Sequence, residues 1–116
     1  MRARFHELVA YQRAVALADE LHAVVPAWPS LQRWSVGAQL LRASDSVGAN
    51  IAEAFGRWHK NDQRRLLYIA RGSVYETQHW IARAEKEKLL PEGTREKAEE
   101  VSRVLNGLIS AHAGRK

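Results

Sequence analysis

The segment from Gln39 to Arg57 constrains the fold of this chain more than any other part of the sequence. Apolar residues recur in it at steps of three and four, which is the spacing of the buried face of a helix. Small and polar residues such as Ser46 and Asn50 occupy positions between them. A helix of this composition can be approached closely by a neighbour, so the segment predicts the inner part of a helical assembly.

Length and composition limit the possibilities further. The chain has 116 residues, of which 46% are apolar, with three prolines and seven glycines, as expected for one compact helical domain spanning residues 1–116. The absence of cysteine excludes disulfides, thiolate catalysis and cysteine-ligated zinc. The opening residues lack the apolar core of a signal peptide, and no run approaches the roughly 18 apolar residues that span a bilayer. We therefore expect a cytoplasmic protein without a membrane partner.

The apolar pattern predicts four helices and no strand. The connections between them are short, so neighbouring helices should be antiparallel. The predicted fold is therefore all-α, an antiparallel up-down-up-down four-helix bundle. The expected bounds are about Phe5 to Val25 for the first helix, a start between Ser35 and Ala38 and an end near Gly56 for the second, a third helix after a turn at residues 57–61, and a fourth after the break at Pro91 and Gly93.

The second and third helices form a hairpin in this topology, so the numbers of facing residues should add up to about 118. Ser46 should then meet Gly72 and Ser73, where small residues allow close approach and hydroxyl groups can bond across the gap. The same register predicts ion pairs between Arg42 and Glu76, and between Glu53 and either Arg64 or Arg65. The polar residues can be interpreted as a functional site or, as we favour, as a network that fixes helix register. Its predicted members are Arg42, Ser46, Asn50, Glu53, Arg71, Gly72, Ser73 and Glu76.

These residues resemble a known family, the four-helix bundle 23S rRNA intervening-sequence proteins, which are related to the accessory variability determinants of diversity-generating retroelements. The resemblance covers nearly the whole chain. Three positions depart from the family pattern: Leu41 replaces a second Arg, Ala54 replaces Gly, and Gly37 replaces a hydroxyl helix cap. The matching positions are Leu8 to Ala14, Trp28-Pro29, Gln39-Leu40, Arg42-Ala43, Ser46, Asn50 to Glu53, Gly56-Arg57, Ala70 to Ser73 and Glu76.

The resemblance implies a homopentamer of bundles. It implies a role that is poorly defined for the family as a whole, with nucleic-acid or reverse-transcriptase association among the retroelement relatives. No cofactor follows from it.

The residues themselves also favour self-association. The third predicted helix carries nearly two apolar stripes where a bundle helix needs one, so part of its surface would form a large exposed patch. The predicted subunit interface consists of Leu41, Tyr68, Tyr75 and Trp80. The alternative is that Trp80 closes the core while the tyrosines lie singly on the surface.

Charge is distributed unevenly along the predicted bundle. The end that holds both termini and the 57–61 turn, called the basic pole below, has eight cations against three carboxylates and a net charge of +5. The opposite end is acidic. In a cyclic assembly the basic poles would share one face, which makes this end the candidate surface for RNA or DNA. The residues predicted to contact nucleic acid are Arg2, Arg4, Arg57, Lys60, Arg64 and Arg65, with Trp58 stacking on an unpaired base.

Two other functions remain open. An adaptor would act through contacts with another protein and would need no nucleic acid. A metal-dependent enzyme is the remote alternative, because Glu76 and His79 have the Glu-x-x-His spacing of carboxylate-bridged metal sites, and Asp19 and His22 form a looser partner. The sequence contains no phosphate-binding glycine loop, zinc-protease pattern or nucleophile elbow. We therefore expect a protein that is not an enzyme and needs no metal.

Overall fold

The computed structural model describes residues 8–114, and this part of the chain is helical almost throughout. A 3-10 turn at Val25–Ala27 follows the first helix, and a π turn at Arg33–Gly37 joins the second helix to the third. The α-helices, in chain order, are α1 (Val9–Val24), α2 (Ser30–Gln32), α3 (Ala38–Phe55), α4 (Lys60–Lys86) and α5 (Thr94–Ala113).

The four long helices α1, α3, α4 and α5 form the predicted all-α bundle, with each helix antiparallel to the next. Two ion pairs, Arg13 with Glu100 and Glu20 with Lys97, show directly that α1 and α5 are antiparallel. The residue that comes first in α1 pairs with the residue that comes last in α5. The assembly is elongated, measuring 49 × 21 × 20 Å. Each end of the bundle is therefore built from four helix ends and the connections between them.

The second bundle helix begins earlier than the sequence predicts. Its helical path starts at Ser30, directly after Pro29, instead of between Ser35 and Ala38. A proline before the first turn suits a helix start, because its fixed φ and missing N–H cost nothing there. The path then widens through the π turn, which ends at Gly37. The predicted start of the first helix at Phe5 lies outside the described residues.

The apolar stripes found in the sequence form a single core. The stripe residues of α3 and α4 are all buried, namely Leu40, Ala43, Val47, Ile51 and Ala54 in α3, and Leu67, Ala70, Val74, Thr77, Ile81 and Ala84 in α4. In α1 and α5 the stripes are buried except at their last positions, Val24 and Leu108, which are half-buried against the core. Removal of this apolar surface from water is the main force that holds the four helices together.

The acidic end of the bundle is closed by a side chain from the first long connection. Trp28 is buried, and its Nε1 donates a hydrogen bond to the carbonyl oxygen of Leu89 at 3.1 Å. This bond ties the α1–α3 connection to the α4–α5 connection. Within residues 8–114, none of the helices combines the length and the apolar character needed to cross a bilayer.

Candidate nucleic-acid interface

The described part of the basic pole comprises the turn between α3 and α4 and the helix ends beside it. Gln63 holds these parts together: its Nε2 donates to the carbonyl oxygen of Arg57 at 2.8 Å, and its Oε1 lies 3.0 Å from Nε2 of His112 on α5. The end of α5 therefore lies beside the start of α4, as the topology predicts. The other predicted contact residues, Arg2 and Arg4, lie outside the described residues, as do Arg115 and Lys116.

One cation of the basic pole is already paired. Arg57 donates to Glu53, four residues earlier, and this hydrogen bond raises the pKa of the Arg57 guanidinium above its usual value. The predicted pairing of Glu53 with Arg64 or Arg65 across the hairpin is wrong. A carboxylate on a helix surface reaches a cation four residues away more easily than one on a neighbouring helix, and Arg57 follows Glu53 at that spacing.

Three cations of the pole remain available for a ligand. Lys60, Arg64 and Arg65 form no ion pair within residues 8–114, where the nearest carboxylate in sequence is Asp62. The Nε of Arg64 is buried and has no hydrogen-bond partner in the described part of the chain. Trp58 stands next to these cations in the turn and is 85% exposed, so its ring is free to stack.

Of the predicted polar network, the structure joins only Ser46, Asn50 and Ser73 by side-chain hydrogen bonds into one polar cluster. The hydroxyl oxygens of Ser46 and Ser73 lie 2.9 Å apart across the α3–α4 contact, which confirms the predicted crossing. The Nδ2 of Asn50 donates to the backbone oxygen and to Oγ of Ser46, at 2.8 and 2.9 Å. The cluster therefore links the two helices α3 and α4.

The predicted ion pair between Arg42 and Glu76 does not form. Arg42 donates to Gln39, three residues earlier, and Glu76 accepts from Nε1 of Trp80, four residues later. Both charged side chains are exposed, so each bonds within its own helix. Gly72 is also misplaced by the sequence-based prediction, because it is exposed and a Cβ added there would meet nothing within 4 Å.

An exposed apolar face runs along α4. It consists of Tyr68, Ile69 and Tyr75, with exposed fractions of 44%, 43% and 52%. The other two residues of the predicted subunit interface, Leu41 and Trp80, are half-buried and pack against the core, so they contribute less free surface than expected. Ile69 was not among the predicted interface residues, although it lies on the second apolar stripe of the same helix.

A shallow groove lies where this apolar face reaches the basic pole. It has a volume of about 460 Å³, and its lining contains no carboxylate. The ring of Tyr68 forms part of the lining, and the guanidinium of Arg71 lies over that ring, 4.9 Å from its centroid. Arg71 therefore contacts Tyr68 and does not join Ser46, Asn50 and Ser73, with which it was grouped in the predicted polar network. The lining residues are Asn61, Arg64, Arg65, Tyr68 and Ile69.

The histidines of the two possible metal-binding motifs contact other side chains. Nε2 of His22 lies 2.8 Å from Asp45 on α3, and the ring of His79 packs edge-on against Trp80. Across residues 8–114, no three His, Asp or Glu side chains are grouped closely enough to hold a metal ion. The two Glu-x-x-His-like motifs are therefore not brought together by the fold.

Comparison with known proteins agrees with this architecture. A solved structure of a protein of unknown function from the S23 ribosomal protein family of Bacteroides thetaiotaomicron superposes with a TM-score of 0.79. The two chains are 21% identical over 88% of this chain and 96% of the other, so the likeness shows the fold. No curated protein is similar enough to match. The family model described as 23S rRNA-intervening sequence protein matches residues 6–107, and the chain therefore belongs to that family.

Proposed function

We propose that this protein is a non-catalytic, homo-oligomeric helical scaffold that binds nucleic acid through its basic pole. One observation carries the proposal: Lys60, Arg64 and Arg65 are unpaired in the described part of the chain and lie in the first turns of α4, directly after the turn that holds the 85% exposed Trp58. Cations supply affinity for phosphates, and an exposed aromatic ring adds stacking on an unpaired base.

The charge of the turn supports an anionic partner. Residues 53–65 contain two carboxylates, Glu53 and Asp62, and four cations, Arg57, Lys60, Arg64 and Arg65. Glu53 is already bonded to Arg57. The backbone adds to this field, because α4 begins here and its His59 cap makes no side-chain hydrogen bond to the first N–H groups. Contacts of this kind read phosphates, so we expect weak sequence selectivity.

Self-association would strengthen such binding. The part of the apolar face of α4 around Tyr75 is a surface that a neighbouring subunit can cover, and a closed ring of subunits orients every basic pole toward one side. The fields of the poles then add, and one nucleic-acid strand can contact several subunits. We propose a pentamer on the basis of the family resemblance, because the surface itself does not fix the number of subunits.

Titration with single-stranded RNA and with duplex DNA tests the proposal. The logarithm of the binding constant for single strands should fall with the logarithm of salt concentration with a slope of about −2 to −3, as expected for three or four phosphate contacts. Association no tighter than about 0.1 mM at low salt would contradict it, because even non-specific binders reach that affinity.

A pair of double variants separates the pole from total charge. Lys60→Ala with Arg65→Ala removes two free cations from the start of α4 and should reduce the salt slope by about 1 to 2. Arg83→Ala with Lys86→Ala removes the same charge from exposed positions at the other end of the same helix. Equal loss of binding in both variants would show that the pole has no special role.

An adaptor function is supported by a different surface. Leu31 and Trp34 are 75% and 73% exposed and lie at the end of the bundle opposite the basic pole. They lie three residues apart on one side of the short helical segment, where a protein partner could cover both. A partner that remains bound in pull-down after nuclease treatment and at high salt, and is lost in Leu31→Ala with Trp34→Ala, would establish this function.

The non-catalytic part of the proposal has a separate test. Stoichiometric iron, manganese or zinc in the purified protein would contradict it and would direct attention to Glu76 and His79. We expect no metal above trace amounts by elemental analysis.

A further inference from the structure

We propose that the groove between Arg64 and Tyr68 is the subsite that holds one nucleotide of a bound single strand, with the base on Tyr68 and the phosphate on the two arginines. This inference rests on the proposed function. It adds the position of one nucleotide on the protein, the side chains that contact it, and a preference for unpaired nucleotides. It begins from the lining of the groove, which combines the apolar groups of Tyr68 and Ile69 with two guanidinium groups and has no carboxylate.

The arginines provide the anionic part of the subsite. Arg64 and Arg65 line the groove, and neither forms an ion pair within residues 8–114. A guanidinium presents a planar fork of donors that matches a phosphate, and two neighbouring forks can follow a phosphodiester along its length. With no carboxylate in the lining, a bound phosphate meets no opposing charge there.

The ring of Tyr68 provides the stacking surface. Side chains on a helix lean toward its N-terminus, so Tyr68 leans over the turn that carries Arg64 and Arg65. The guanidinium of Arg71 lies over the ring at 4.9 Å from its centroid, and this contact helps to hold the ring in place. Ile69 adds apolar surface to the lining, and Asn61 adds a carboxamide that can donate to or accept from a base edge.

The size and position of the groove agree with one nucleotide of a longer strand. The groove has a volume of about 460 Å³ and is wide open to solvent, so a nucleotide in it can stay connected to the rest of a strand. The groove starts at Asn61 in the first turn of α4, directly after Lys60 and two residues after the turn residue His59, which follows the exposed Trp58. A strand that leaves the groove therefore continues onto the free cations of the basic pole. A base in a duplex has both faces covered and cannot enter.

The test compares two exposed aromatic residues. Tyr68→Leu removes the ring from the groove but keeps apolar bulk, and Trp34→Leu makes a similar change at the opposite end of the bundle, outside the lining and the proposed subunit interface. Each variant is titrated with a short single-stranded RNA of mixed sequence, with the same strand annealed to its complement, and with an abasic strand of equal length. Solution mass is measured for each protein.

Tyr68→Leu should weaken binding of the single strand about tenfold, the effect of losing one stacked base, and change binding of the duplex and of the abasic strand less than about twofold. Trp34→Leu should change none of the three. Full affinity of Tyr68→Leu for the single strand would overturn the groove alone. A changed solution mass in that variant would also overturn it, because Tyr68 would then be a subunit contact. Failure of the unsubstituted protein to bind any strand would overturn both the groove and the proposed function.

Discussion

Individual residues set the register between α3 and α4 through hydrogen bonds that cross the interface. Ser73 is 8% exposed, so its hydroxyl has little access to water and depends on Ser46 for a partner. Ser73 also accepts from the hydroxyl of Thr77 through its backbone oxygen, at 2.7 Å. A shift of either helix along its axis would break the hydroxyl pair while leaving the apolar contacts largely intact, so the pair selects one register.

Removing the first hydroxyl of the pair should therefore lower the free energy of unfolding more than removing the second. Ser73→Ala or Ser46→Ala alone is expected to lower the free energy of unfolding by about 1 kcal/mol, because the remaining polar groups lose a partner. The double variant should cost clearly less than the sum of the two. Urea denaturation of all four proteins measures the coupling, and strictly additive losses would contradict the predicted interaction.

The same register rule succeeds for Ser46 with Ser73 and fails for Arg42 with Glu76, and the difference is physical. Buried hydroxyl groups have few possible partners, so the helix register determines which one they meet. Exposed charged side chains are long and mobile, and they find partners within their own helix, such as Gln39 for Arg42. Sequence could therefore predict the crossing but not the ion pairs around it.

Whole helices differ in how tightly their small residues are surrounded. Gly37 ends the π turn, and a Cβ there would lie 2.7 Å from Cγ1 of Val25 and 3.2 Å from the backbone oxygen of Gln32. Gly72 lies in the middle of α4 with open space around it. Both were noted in the sequence as glycines in or near helices, and the pattern of apolar residues could not separate them.

Alanine substitution should act in opposite directions at these two glycines. Gly72→Ala is expected to raise the free energy of unfolding by about 0.5–1 kcal/mol, because a helix interior favours alanine over glycine. Gly37→Ala is expected to lower it by about 1–3 kcal/mol, because the stiff side chain of Val25 must move within the core. Thermal and urea denaturation compare them. A loss of stability in Gly72→Ala would contradict this prediction and would mean that a group from outside the single bundle, such as a second subunit, packs against Gly72.

The early start of the second bundle helix at Ser30 shows another limit of the sequence. Hydrophobic periodicity marks only those helical turns that bury an apolar stripe, and here Leu31 and Trp34 point into solvent. The groove on α4 was missed for a related reason. Arg64, Arg65 and Tyr68 were all singled out, but in two different roles, and only the helix geometry places them around one depression.

At the scale of the molecule, the two ends of the bundle are closed differently. The acidic end is tied by the hydrogen bond from Trp28 to Leu89, whereas Trp58 at the basic pole contacts solvent over 85% of its surface. A buried indole with its N–H bonded stabilises a fold, and an exposed indole does not. We therefore expect Trp28 to contribute to stability and Trp58 to contribute little.

Tryptophan substitutions should show this contrast. Trp28→Phe is expected to lower the free energy of unfolding by about 2 kcal/mol, through the lost hydrogen bond and the space left by the smaller ring. Trp34→Phe, at a position that is 73% exposed, should change it by less than about 0.5 kcal/mol. Chemical denaturation measures both. Equal stability of the two variants would mean that the bond between the connections contributes nothing.

The proposed assembly makes a further prediction for the whole molecule. Tyr75→Glu places a charge on the apolar face of α4, where the proposed subunit contact lies, and should convert the oligomer to a single bundle, because a buried unpaired carboxylate is strongly unfavourable. Leu31→Glu, at a more exposed apolar position elsewhere, should leave the mass unchanged. Light scattering of the three proteins measures this. A single-chain mass for the unsubstituted protein would contradict the oligomer.

The short turn between α3 and α4 has a consequence for how the chain reaches its native state. Only residues 56–59 separate the two helices, which share the most extensive contact in the molecule, so their pairing requires little loop-closure entropy. Contacts close in sequence form quickly, and we expect this hairpin to act as the folding nucleus onto which α1 and α5 dock. The turn that carries Trp58 and the cations would then take shape among the earliest parts of the chain.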